Sequence, residues 1–209
     1  MKILLATSNK NKVKEIKEFF TEYDVCALRE VLDPFEINEY GTSFKQNALI
    51  KVRAVYEALK SKNLQSEFFV LSDDSGICVD ALGGAPGIFS ARFSGAGATD
   101  ASNREKLAAS LRALELEESP AHYTAAIALK CALGEFCTYG FMHGTAITQQ
   151  RGQNGFGYDF MFIPRGFDRT IGELPAEVKF KISHRTKGLA LMQILLKNLE
   201  KQMRFAKFH

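Results

Sequence analysis

Phe68-Phe69-Val70-Leu71-Ser72-Asp73-Asp74-Ser75-Gly76 is the stretch that sets the fold. The apolar run 68–71 reads as a buried strand that stops at Ser72. Two adjacent carboxylates follow, Asp73 and Asp74, then the hydroxyl of Ser75 and the unhindered backbone of Gly76. Neighbouring acids repel, and burying both without a cation raises at least one pKa. A hard divalent ion such as Mg²⁺ removes that penalty, because it takes oxygen ligands and keeps several waters, one of them a nucleophile. Asp, Ser and Gly also favour solvated turns, so these residues alone leave a turn and a metal site equally open. Downstream, Gly83, Gly84, Pro86 and Gly87 mark a tight backbone excursion, and Arg92 follows in Ser90-Ala91-Arg92-Phe93-Ser94-Gly95.

Toward the N-terminus, residues 2–6 read as a short buried strand. The polar loop Thr7-Ser8-Asn9-Lys10-Asn11-Lys12 then leads into an amphipathic helix with Val13, Ile16, Phe19 and Phe20. A strand, polar loop and helix start in this order can hold phosphate, through free backbone N–H groups and the helix dipole. The loop carries neither the Walker A pattern nor the Rossmann glycines. A plain N-cap at Ser8 or Asn9 with solvated lysines accounts for the same residues. Residues 33–41 are acidic and irregular, offering Glu36 and Glu39 as further ligands. Over 43–60, Phe44, Ala48, Val52, Val55 and Leu59 recur at helical spacing and form one apolar stripe. Asn47, Lys51 and Glu57 fall off it. Lys51 is there either as a solvated lysine or as one that projects toward phosphate.

Toward the C-terminus, Ser102-Asn103-Arg104-Glu105 has the capping-box pattern and opens a helix over 103–114. A charged linker spans 115–119. Strands at 121–130 and 135–148, joined at Leu133-Gly134, form a hairpin suited to a second, antiparallel lobe. A polar loop spans 149–157, and a short strand at 160–163 is stopped by Pro164. Pro175 suits the first turn of a short helix. The last amphipathic helix covers 189–203, and 204–209 reads as a frayed tail. This order predicts an α/β protein with a mixed sheet, one domain over 1–209 in two lobes around a cleft.

Composition narrows the class. The chain has 209 residues, 46% hydrophobic and 24% charged, as in an ordinary globular protein. A net charge of +3 does not argue for nucleic acid or a membrane surface. No apolar run is long enough to span a bilayer, and the apolar start is too short for a signal peptide. Cys26, Cys78, Cys131 and Cys137 lack Cys-x-x-Cys spacing and read as core thiols of a reducing cytoplasm, not as disulfides or a zinc site.

Four separated segments resemble one family: Ala6-Thr7-Ser8-Asn9 with Lys12, residues 72–95, Gly155-Phe156-Gly157-Tyr158-Asp159, and Ile182-Ser183-His184-Arg185. Their order and spacing are similar to those of the inosine/xanthosine triphosphate pyrophosphatases, over most of the chain. The resemblance implies an elongated mixed α/β sheet with flanking helices and a nucleotide cleft between two lobes. It also implies a homodimer that needs Mg²⁺ and converts a purine nucleoside triphosphate to the monophosphate and pyrophosphate. By position, Thr7, Ser8, Asn9, Lys10, Asn11 and Lys12 match the triphosphate loop. Asp74 matches the general base and a metal ligand, Glu39 the second metal ligand, and Ser75 a substrate contact. Phe156, Gly157, Tyr158, Asp159, Lys179, His184 and Arg185 match the nucleoside pocket, with Lys181 competing with Lys179. Lys51 resembles a phosphate-contacting lysine. Arg185 is donor-only and so favours the 6-carbonyl of hypoxanthine or xanthine over the amino group of adenine.

Three other readings stand beside this one. A related pyrophosphatase acting on other bases is expected to lack the Ser-His-Arg end. A nucleotide sensor without turnover gains little from two repelling acids, and an RNA-binding module needs a wider basic face.

Overall fold

A computed structural model of the chain describes residues 1–33 and 35–205. Its elements in order are β1 (Lys2–Leu5), α1 (Lys10–Phe19), β2 (Val25–Ala27), α2 (Phe44–Ser61), β3 (Phe68–Val79) and α3 (Asp100–Arg112). There follow β4 (Glu118–Cys131), β5 (Gly134–Ile147), β6 (Phe162–Pro164), α4 (Ala176–Ile182) and α5 (His184–Phe205). The six strands form a sheet in the order β2-β1-β3-β4-β5-β6. β1 pairs parallel with β2 and β3, with Ile3 opposite Val25 and Phe69, whereas β6 pairs antiparallel with β5. The predicted mixed sheet with flanking helices is therefore present.

The chain groups into two compact units. The first comprises Met1–Asp74, Ala126–Tyr139 and the described residues from Arg185 onward; the second comprises Ser75–Ala125 and Gly140–His184. In the first, the α2 stripe Ala48, Val52, Val55 and Leu59 is buried with Leu4, Phe68 and Val70. In the second, Ile77, Val79, Leu107, Leu111, Met142 and Phe162 form the core. Each such aliphatic or aromatic side chain contributes roughly 1.5–3 kcal/mol when fully buried.

Several boundaries differ from the sequence reading, each for a physical reason. The strand expected to stop at Ser72 runs on to Val79, so Asp73 and Asp74 lie inside β3 and not in a turn. Their turn propensity is overridden by tertiary partners. The Ser72 hydroxyl donates to the Ala48 carbonyl at 2.7 Å, and lysines meet both carboxylates. Helix α3 begins earlier than expected. Ser102 is the third residue of the helix, not its cap, and it exchanges hydrogen bonds with the true N-cap, Thr99. β2, three residues long, was not expected. β4 and β5 do form a hairpin, joined by two residues, but in the same sheet as β1–β3 and with residues in both units. Pro164 ends β6 at the sheet edge, where its missing N–H is tolerated.

All four cysteines are free thiols, but only Cys131 is fully buried. Among the described residues, no helix is long and apolar enough to cross a membrane. Of the tail 204–209, residues 204 and 205 continue α5, and 206–209 lie outside the described residues.

Candidate active site

The first unit gathers opposite charges around the middle of β3. Lys51, on α2, places its Nζ 2.8 Å from Asp74 Oδ1, 3.1 Å from Glu39 Oε2 and 3.2 Å from the Asp73 carbonyl. Lys12, in the first turn of α1, lies 3.3 Å from both the carbonyl and Oδ2 of Asp73. Arg185, at the start of α5, donates from Nε to Asp73 Oδ2 at 2.8 Å and from Nη1 to Glu15. One strand thus presents two acids, and three helices bring the cations that neutralise them.

Local chemistry explains this arrangement. Asn9 caps α1, its Oδ1 accepting from the amides of Asn11 and Lys12, while Thr7 Oγ1 accepts from the Asn9 amide. Lys12 and Glu15 are three residues apart and share a helix face. Ser43 caps α2. The buried Asn47 accepts the Gly41 amide at 2.8 Å, and Gln46 accepts both the amide and the hydroxyl of Thr42, which tethers the segment carrying Glu39.

Burial sets the electrostatics. It raises the Asp74 pKa above the usual carboxylate range despite Lys51. It lowers the Lys12 pKa, with Asp73 opposing and Lys51 and Arg185 adding to the fall. For Lys51 burial acts downward too, but Asp74 and Glu39 outweigh it and the pKa is raised. The same balance, with Asp73 and Glu15 as partners, holds the Arg185 pKa above its ordinary value.

Two carboxylates, Asp74 and Glu39, lie against one ammonium and are the residues suited to a hard cation. Asp74 Oδ2 is buried and has no hydrogen-bond partner among the described residues, so it is an oxygen donor in want of one. Those residues contain no cluster of three or more His, Cys, Asp or Glu arranged for a metal. An ion there would complete its shell from substrate and water, as Mg²⁺ commonly does.

In the second unit, residues 155–159 form a tight loop. Asp159 Oδ2 accepts from the Phe156 amide at 2.9 Å and from Lys179 Nζ at 2.7 Å. The Lys179 ammonium also lies 4.1 Å from the centre of the Phe156 ring. Gly155 has φ +91°, and a Cβ there would strike the Asp159 carboxylate, so the loop requires glycine. The Tyr158 hydroxyl donates to the Ser90 carbonyl at 2.8 Å, and burial raises its pKa. His184 stacks on Tyr123, with ring centres 4.7 Å apart.

The sequence-derived candidates thus fall into two sets. Lys12, Glu39, Lys51, Asp74 and Arg185 come together in the first unit; Phe156, Asp159 and Lys179 do so in the second. Lys179, not the exposed Lys181, engages the loop. Ser8, Asn9, Lys10 and Asn11 are exposed, and the amides of Asn9, Asn11 and Lys12 are already taken by Thr7 and Asn9. Ser75 is half-buried in β3. Sequence reasoning missed Glu15, whose one signal was its three-residue spacing from Lys12.

By fold and side-chain chemistry this is an open mixed-sheet α/β protein with a buried lysine–carboxylate centre. The model of the Ham1 family matches residues 3–195, and the chain belongs to that family. It is 61% identical over 204 residues to a dITP/XTP pyrophosphatase of Campylobacter hominis, covering 96% of this chain and 99% of the relative. A protein of the same name from Campylobacter fetus is 60% identical, with 96% and 98% covered. The solved structure of the Ham1 protein of Staphylococcus aureus superposes with a TM-score of 0.82 at 33% identity, over 95% of this chain and 99% of that one.

Proposed function

We propose that the protein hydrolyses deaminated purine nucleoside triphosphates (ITP, dITP and XTP) to the monophosphate and pyrophosphate, clearing them before they enter DNA or RNA. The observation that carries this is Asp74, a buried acid with one oxygen bonded to Lys51 and the other without a partner among the described residues. The names of the close relatives supply the substrate class.

In this reading Asp74 and Glu39 hold Mg²⁺. When bound, the ion would offset phosphate charge and lower the pKa of a coordinated water. Asp74 takes the proton of the attacking water, as a positioned general base. Lys12 and Lys51 supply fixed positive charge for the phosphates and the departing pyrophosphate. Arg185 and Glu15 hold Asp73 in place, so that Lys12 and Asp74 keep their positions. As a donor-only group Arg185 also favours the 6-carbonyl, with His184 on the base side. Residues 7–11 frame the triphosphate, Ser75 contacts substrate, and Phe156 stacks on the purine within the loop that Tyr158, Asp159 and Lys179 support. One domain, as a cytoplasmic homodimer without nucleic-acid or membrane partners, completes the reading; the resemblance supports the homodimer, and the free thiols and the modest net charge support the rest.

A panel of ITP, dITP, XTP, ATP and GTP, with and without Mg²⁺ and read by pyrophosphate release, tests it. Pyrophosphate from the first three, dependent on Mg²⁺, is the expected result. Equal rates on all five, or orthophosphate as the product, would overturn it.

A further inference from the structure

The loop that carries Phe156 is gripped from outside by a helix to which no role has been assigned. The Gly157 amide donates to Asp100 Oδ2 at 2.9 Å, and the Gly157 carbonyl accepts from Arg104 Nη1 at 2.9 Å. Asp100 and Arg104 stand four residues apart on α3, so they project from the same helix face. Both polar groups of one residue are therefore held by one rigid element, which fixes the orientation of the peptide planes on either side of Gly157. Gly157 has φ +60°, a left-handed conformation that glycine adopts without strain but does not by itself enforce.

Arg104 is itself held. Its Nε donates to Gln150 Oε1 at 2.7 Å, and its guanidinium lies 4.7 Å from the centre of the Phe160 ring. Asp100 opens α3, where a negative charge is favoured by the helix dipole. These contacts lie outside the Asp159–Lys179 bonds and act on the next residue of the loop.

We infer that Asp100 and Arg104 are positioning residues for base recognition: they clamp Gly157 and so set the attitude of the neighbouring Phe156 ring toward the purine. The inference rests on the proposed role of Phe156. Neither residue is required for bond cleavage, so their loss acts on nucleotide affinity and not on the chemical step.

The test compares the double variant that combines Asp100→Ala and Arg104→Ala, the single variant Asp100→Asn, and Phe156→Ala. Steady-state ITP hydrolysis is measured beside competitive inhibition by inorganic tripolyphosphate, which has no base. The double variant is expected to raise KM for ITP about 3- to 10-fold, with kcat within about two-fold of the parent. The inhibition constant of tripolyphosphate stays unchanged. Asp100→Asn, whose amide oxygen still accepts a hydrogen bond, restores a near-parent KM. If the double variant does not fold, the single Asp100→Ala change serves, because Asp100 is exposed. An unaltered KM in the clamp variants while Phe156→Ala raises it would sink the clamp alone. An unaltered KM in Phe156→Ala would remove the base assignment and the clamp with it. Equal weakening of ITP and tripolyphosphate would reduce the clamp to a general structural contact and overturn it.

Discussion

Asp74 sits among buried charges on regular elements, whereas Phe156 sits in a loop held through its backbone. Lys51, Asp73, Asp74 and Arg185 are all buried, and each sits in a helix or in β3. Phe156 and Gly157 are half-buried, and hydrogen bonds to their main-chain atoms hold them. A fixed array of charges suits a polyphosphate, whose charge and spacing do not vary among nucleotides. A tethered loop suits a base, where small displacements change selectivity without dismantling the centre. The two regions are thus expected to fail differently: the first in folding and catalysis, the second in affinity.

The largest effect on stability is expected at Arg185→Ala. It would leave Asp73 and Glu15 without their shared guanidinium, and removing one partner of a buried ion pair costs about 3–5 kcal/mol. Denaturant unfolding measures this. A loss below about 1 kcal/mol, the range of exposed pairs, would mean that the arginine is not holding the acids.

Phe156→Ala sharpens the contrast from the other side. Loss of stacking should raise KM for ITP by about 2- to 10-fold and leave the unfolding midpoint near that of the parent. A collapse of kcat there would erase the distinction between the regions.

The smallest effect belongs to an ion pair outside both. Glu135 accepts from Arg53 at 2.9 and 2.6 Å and from Lys130 at 2.8 Å, and its pKa is drawn down from 4.5 to about 2, chiefly by Arg53. A lowered carboxylate pKa stabilises the fold at pH above its ordinary value, and that contribution is lost as pH falls through the native one. The stability gap between the parent and Glu135→Gln should therefore be small near neutral pH and close between about pH 4.5 and 2. Turnover should not change. A gap that widens in acid would reverse the sign and contradict the assignment.

The amphipathic helices were legible because their stripes depend on local periodicity. The helix over 43–60 and its apolar stripe followed from spacing; it forms at Phe44–Ser61, with Ser43 as its cap. The extent of β3 was not legible, because Ser72, Asp73, Asp74 and Gly76 carry turn propensity and only distant lysines make them fit a strand. The two acids stood out in sequence as a pair needing a cation. That the cations present are Lys12, Lys51 and Arg185 depends on contacts up to 112 residues apart in the chain. Asp100 and Arg104 left no trace, since what they hold is backbone.

Asp74→Asn offers the most direct test, with ITP turnover and ITP binding measured on the same preparation. The substitution keeps the shape of the side chain and removes its basicity. Turnover should fall about 10²- to 10⁴-fold, the usual effect of losing a general base, while nucleotide binding survives. Turnover within a few-fold of the parent would contradict the role given to the buried acid on β3.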